Sequence, residues 1–392
     1  MGSMRCVSIV GVGFVVVACG GDPSSAGSFD DTRGANSAPA AASQGTAIRS
    51  PAEILAKGVT GLDEDLVPAA AGAAKLSAVS SVKPSVAHTA KLTAPLSEYV
   101  AFPGGRLLHQ SCVHSMPNGA HVAENGDVVA ARGDVIEHVE ACQYDPILQG
   151  NTPTGPNRPQ PNGNIEDVYG HPVSTPWFDG VASQVTVPPS PTKFQIFGGN
   201  DVFLWSGLIS QLTSNNIVIQ PVLQWGQAGQ NCSSGGQNWE MQVYYIDINN
   251  VGYCGSQQQV NPGDTITEYS LALSCPDNTG VNCNWLIAYV LNNTTYGNYT
   301  NQIPVKLDSA VFQSLEAYNL PDCGYFPNTS GTGFLSYWYQ PSPSWNSYNQ
   351  TTQISVLQFG PSVAAGTNVP TNCPYGVQVG GIATALLGDL SY

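Results

Sequence analysis

From residue 179 to the C-terminus, short apolar runs recur between polar turns, and no stretch keeps a helical period. Several runs alternate. Trp239, Met241, Val243 and Tyr245 fall on one side of a pleated strand, with polar residues between them. The pattern predicts strands over 181–188, 194–197, 202–209, 217–225, 238–246, 265–273, 285–290, 310–318, 334–339, 354–359 and 377–383. Many short strands at regular spacing predict an all-β domain over 179–392, a sandwich of antiparallel sheets.

The region ahead of it divides by pattern. Residues 96–148 carry short apolar pieces between Asn-Gly and Gly-Asp turns, as in a small β-hairpin module. Residues 149–178 read as a Pro/Gly linker, with no period between Gly150 and Asn164. Residues 20–95 are rich in Ala, Ser, Gly and Pro and read as a disordered tether with one short helix at 51–57. Residues 1–19 read as a signal peptide. Arg5 precedes an apolar run from Val7 to Ala18, too short to span a bilayer. The run ends in Val16-Val17-Ala18-Cys19, which resembles a bacterial lipobox, with Cys19 as the lipidated residue. The expectation is export and lipid anchoring in a bacterial envelope, at the outer membrane, or secretion.

Composition narrows this picture. The 392 residues include 42 Gly and 29 Pro, only 10% are charged, and the net charge is −15. That argues against a nucleic-acid partner, which needs a basic face, and against helical bundles, whose surfaces carry Glu and Lys. Setting aside Cys6 and Cys19 leaves eight cysteines, an even number suited to disulfides in an exported chain. Many connectivities are open. Near-neighbour pairing gives Cys112–Cys142, Cys232–Cys254, Cys275–Cys283 and Cys323–Cys373. His109, Cys112 and His114 could suggest a metal, but the disulfide reading of Cys112 is favoured. No metal or cofactor is expected.

Charge along the chain restricts the chemistry. All six histidines precede residue 179, no Arg follows it, and the remaining cations are Lys193 and Lys306. Eleven acids give this part a net charge of −9. Ser–His and Cys–His nucleophile systems and His-based zinc sites need an imidazole, so the domain cannot supply them alone. Carboxylates, side-chain amides, Tyr hydroxyls and two lysines are left.

One ordered set of motifs uses that repertoire. It begins with Leu204-Trp-Ser-Gly-Leu-Ile209, and Ile217-Val-Ile-Gln-Pro-Val-Leu-Gln-Trp-Gly226 follows. Then come Asn238-Trp-Glu-Met-Gln-Val-Tyr-Tyr245, Val260-Asn-Pro-Gly-Asp-Thr-Ile266 and Phe312-Gln-Ser-Leu-Glu-Ala-Tyr318. This order resembles the glutamic peptidases (the eqolisin family) over roughly residues 178–340. The resemblance implies a lectin-like, concanavalin-type sandwich and an acid-acting endopeptidase working on protein or peptide substrates. It implies Glu316 as general base and then acid, and Gln224 as oxyanion donor. Trp205, Trp239 and Trp225 would shape the substrate groove. The family has an acid two residues after its strand Trp, where this chain has Met241. Glu240 beside it is expected on the other sheet face.

Two rival readings stand beside this one. A glycoside hydrolase needs two acids on one face, and Glu316 with Glu240 or Glu268 is the available Glu pairing. A non-catalytic sandwich would bind carbohydrate or protein at the cell surface. The chain is expected to act as a monomer, touching a membrane only through its anchor.

Overall fold

The computed structural model describes residues 7–11, 14–18, 94–148, 163–172, 180–194, 201–210, 217–226, 236–275, 280–300, 310–318, 322–327, 332–339, 357–365, 376–382 and 385–391, with a few isolated positions between them. The chain divides into two units, Met1–Thr46 and Ala47–Tyr392. In the first, β1 (Val7–Gly11) and β2 (Phe14–Ala18) pair antiparallel. Cys19, the helix expected at 51–57 and nearly all of the tether lie outside the described residues. Among the described residues, no helix is long and apolar enough to cross a membrane.

The second unit begins with β3 (Tyr99–Phe102), β4 (Arg106–His109), β5 (Val113–Ser115), β6 (His121–Val122), β7 (Asp127–Val129), β8 (Val135–His138) and β9 (Ile147–Leu148). It continues with β10 (Gly163–Pro172), β11 (Gly180–Thr186), β12 (Asp201–Ile209), β13 (Val218–Gly226), β14 (Gly236–Ile246), β15 (Gly252–Cys254), β16 (Gln258–Val260), β17 (Thr265–Ser274), β18 (Asn284–Leu291) and β19 (Thr294–Tyr299). It ends with β20 (Ala310–Tyr318), β21 (Thr332–Tyr339), β22 (Leu357–Ala365), β23 (Gly376–Ile382) and β24 (Ala385–Ser391). No α-helix occurs among the described residues.

Two large sheets form a sandwich. One runs β22-β10-β20-β12-β13-β14-β15-β5, with β16 also paired to β14. The other runs β23-β24-β21-β11-β17-β18-β19-β6-β7-β8. Pairing is antiparallel except where β5 joins β15 and β6 joins β19. The core between the sheets takes alternate residues from each: Leu204, Leu223, Met241 and Leu315 from one, Val185, Ile266, Trp285 and Ile287 from the other. Burial of these side chains supplies about 1.5–3 kcal/mol each before chain entropy is charged. Tyr289 adds a bond across the gap, its hydroxyl donating to the Met241 carbonyl at 3.1 Å.

Asn292 and Asn293, both at positive φ, join β18 to β19 in a tight hairpin. Two consecutive left-handed residues match the strand twist there, and Asn tolerates that conformation.

Two boundaries differ from the sequence expectation. The span 149–178 is not all linker, because β10 lies within the first sheet between β20 and β22. Its polar residues Asn164, Glu166 and Asp167 hide the strand signal. Residues 96–148 are not a separate module either. Met116, Ala120, Val122, Val128 and Val139 enter the main core, and β5 and β6 extend the two sheets. Asn298, which sits in an Asn-x-Thr sequon, is buried, and its amide donates to the Pro117 carbonyl at 2.7 Å.

Disulfides join Cys112 to Cys142, Cys232 to Cys254 and Cys275 to Cys283, the near-neighbour pairs. Cys323 is also disulfide-bonded, and Cys373 lies outside the described residues.

Candidate active site

Strand alternation sorts β12, β13, β14 and β20 into two faces. One face meets the second sheet. The other, called here the open face, carries Phe203, Trp205, Val218, Val222, Tyr244 and Tyr318, which pack in a second cluster. Phe203 on β12 lies opposite Gln224 on β13 and opposite Glu316 on β20. Directly paired residues share a face, so Gln224 and Glu316 stand on the open face, on either side of Phe203. Two strand spacings separate their backbones, about 10 Å.

Glu316 is 1% exposed and accepts four donors. The Trp205 indole Nε1–H donates to Oε1 at 2.9 Å, and the Tyr318 hydroxyl donates to Oε2 at 3.0 Å. The Gly104 amide donates to Oε1 at 2.8 Å, and the Gly105 amide lies 3.1 Å from both oxygens. Burial pushes the Glu316 pKa up, and the donors offset only part of that. Glu316 in turn holds the Tyr318 hydroxyl well above its usual range, after burial as the main cause.

Gln224 is also buried, and a network fixes its amide. Its Oε1 accepts from the Tyr244 hydroxyl. Its Nε2 donates at 3.3 Å toward Glu240 Oε2 and Gln242 Oε1, and reaches the Cys232 carbonyl at 3.5 Å. The Cys232–Cys254 disulfide anchors that carbonyl to β15. Burial raises the Tyr244 pKa far above the ordinary value, helped by the charges of Asp201 and Glu240.

The sequence-predicted residues divide sharply. Trp205 is on the open face and touches Glu316. Trp225 and Trp239 do not line a groove. They sit at odd positions of strands whose even positions face outward, and they pack together in the sandwich core with ring centroids 5.4 Å apart. Met241 occupies that same core, so Glu240 does face away from Trp239 and Met241 as expected. That places Glu240 on the same face as Gln224, its direct cross-strand partner. Glu268, on β17, belongs to the other sheet, where β23, β24, β21 and β11 lie between it and the nearer edge. Asp264 closes a turn, its Oδ2 accepting from the Asn261 amide at 2.8 Å.

The run around His109 does not assemble a metal set. His109 stacks on Tyr144 and bonds Glu98, His114 bonds Glu137, and Cys112 is in its disulfide.

Sequence reasoning missed four participants. Tyr244 and Tyr318 look like core aromatics until the register is known. Asp201 lies opposite Tyr318 on the open face, one diagonal step from Glu316. Arg106 arrives from outside the predicted sandwich. It is 2% exposed, and burial lowers its pKa to about 10 while the charge of Glu316 works against that shift. The one signal for it was the Pro-Gly-Gly-Arg turn, which announces a hairpin but not its destination.

No protein-family model matches this chain, and no curated protein matches it. Solved structures do. Scytalido-glutamic peptidase with a transition-state analogue inhibitor aligns at 12% identity and TM-score 0.35, covering 59% of this chain and 98% of that one. A second structure of it, with a peptide-based transition-state analogue, aligns over the same shares at 12% identity and TM-score 0.32. SCP-B, a member of the eqolisin family of peptidases in complex with the tripeptide Ala-Ile-His, aligns at 12% identity and TM-score 0.30, again over 59% and 98%. This chain is an all-β sandwich similar to those glutamic peptidase structures.

Proposed function

We propose that the chain is an acid-acting endopeptidase of the glutamic type, exported and tethered by lipid at Cys19. The observation that carries the reading is the pair Gln224 and Glu316 facing one side of the sheet across Phe203. Glu316 would take a proton from a water molecule whose oxygen attacks the peptide carbonyl carbon. Gln224 Nε2 would donate to the oxyanion that forms. Glu316 would then pass its proton to the amide nitrogen as the C–N bond breaks. Burial gives Glu316 a raised pKa, which suits a group that must hold and release that proton. Trp205 and Tyr318 orient the carboxyl group. Export is supported by the apolar run before Cys19 and by disulfides, which persist in oxidising compartments.

The test is hydrolysis of denatured casein from pH 2 to 7 with pepstatin present. Wild type is expected to cleave and Glu316→Gln is not. Cleavage that survives Glu316→Gln overturns the reading.

A second reading has one observation behind it. Glycoside hydrolases need two acids on one face, and Asp201 stands diagonal to Glu316. The Glu pairings do less well. Glu240 is three strand spacings from Glu316, about 14 Å along the sheet, and Glu268 is on the other sheet. Sugar release that is lost in Asp201→Asn but kept in Gln224→Ala would favour this class.

A further inference from the structure

The Glu316 carboxylate is not open to a water or a substrate, because part of the same chain sits on it. The hairpin β3–β4 turns through Phe102-Pro-Gly-Gly-Arg106 directly over the acid. Gly104 and Gly105 both take positive φ, which lets two successive amides point at one carboxylate. Phe102 packs edge-on against Tyr244, the residue that holds Gln224, with ring centroids 5.0 Å apart. Arg106 places a buried cation beside the same acid. One turn therefore caps Glu316 and packs against the residue that holds Gln224.

We infer that this hairpin is a resident autoinhibitory plug, one that opens by local displacement of residues 96–109 and does not leave the molecule. The inference rests on the peptidase reading and adds the regulation of that site. Inhibition follows from the geometry. A carboxylate filled by two amides, an indole and a hydroxyl has no lone pair directed at a water. Residence follows from what lies next along the chain. Residues 112–142 are closed by a disulfide, add β5 to one sheet and β6, β7 and β8 to the other, and bury apolar side chains in the main core. The Asn118 side chain binds the Gly297 amide at 2.6 Å. Removing that segment would open the sandwich, whereas lifting β3 and β4 would uncover only the open face.

The test compares Gly104→Val with Gly133→Val in the full chain. Both glycines have positive φ, so both variants strain a turn. A side chain at Gly104 would also press on Val218 at 3.3 Å, whereas nothing lies within 4 Å at Gly133. Two readouts are taken. One is casein cleavage between pH 2 and 7. The other is carbodiimide-driven amine coupling to Glu316, followed by mass spectrometry, which needs no catalysis. Gly104→Val is expected to raise both at least tenfold over wild type, and Gly133→Val neither. Equal coupling and equal cleavage in wild type and Gly104→Val overturn the plug and leave the peptidase reading standing. Increased coupling without cleavage sustains the cover but overturns the peptidase reading. A measurement on native-like protein guards against misfolding of the valine variant. Amide exchange at Gly104 and Gly105 is expected to be at least tenfold faster in Glu316→Gln than in wild type, with 112–142 unchanged. Unchanged exchange at both glycines overturns the proposal, and release of 112–142 together with the hairpin overturns its residence.

Discussion

Among the described residues, Glu268 and Glu316 are the two glutamates only 1% exposed, one on each sheet, and they are treated in opposite ways. Glu316 receives hydrogen bonds from four donors. Neither Glu268 oxygen has a partner in good hydrogen-bonding geometry. Burial drives its pKa well above the ordinary value, and the nearby Ser206 amide offsets little of that. It faces Ser183 across the strand pair, and both residues are buried. The contrast teaches what burial alone does not decide. Donors aimed at an acid keep its ionised form within reach, which a proton carrier needs. Without donors the acid stays protonated and becomes a liability as pH rises.

The comparison can be broken at several points, with activity measured in the Gly104→Val background where the hairpin is displaced. Glu316→Gln is expected to lower kcat by about 10³-fold or more, the scale of losing a general base. Gln224→Ala is expected to lower kcat by roughly 10²-fold, as for one oxyanion donor, with little change in KM. Glu268→Gln is expected to leave kcat within about twofold and to change stability instead. A group whose folded pKa is raised contributes stability that is full below its unfolded pKa, in the ordinary carboxyl range, and is lost as pH rises toward the folded one. Urea midpoints between pH 3 and 7 should therefore fall more steeply in wild type than in Glu268→Gln, by at most about 1.4 kcal/mol per pH unit. Equal slopes would remove the contrast. The smallest effects separate two tryptophans. Trp205→Phe loses the indole donor to Glu316 and should cost kcat about tenfold, consistent with one charge-assisted hydrogen bond. Trp239→Phe should leave kcat unchanged and lower the urea midpoint, since Trp239 lies in the core.

Period-2 alternation located the long strands well because each buries a face. The expected range 310–318 coincides with β20, and 202–209 lies within one residue of β12. β15, β16 and β19 escaped notice because they are short or polar, and only their neighbours' hydrogen bonds make them strands. At the site, Gln224 and Glu316 were readable through motif order. The face each tryptophan would take was not, since that depends on which parity of β13 and β14 meets the second sheet. Arg106 was beyond reach for a different reason. Dividing the chain at residue 179 left the sandwich no arginine, and the fold brings one back to Glu316 from earlier in the chain.

The direction of the chain gives the hairpin one more consequence. Gly104 precedes Glu316 by 212 residues. During synthesis the stopper therefore leaves the ribosome long before the acid it covers. By the time β20 can add to the sheet, the β3–β4 turn is already available to receive it. Closing so long a loop is slow, and contacts of this range form late in folding. The acid and its cover therefore come together only once the whole sheet has been made, so the buried carboxylate and the donors that satisfy it arrive in one late step.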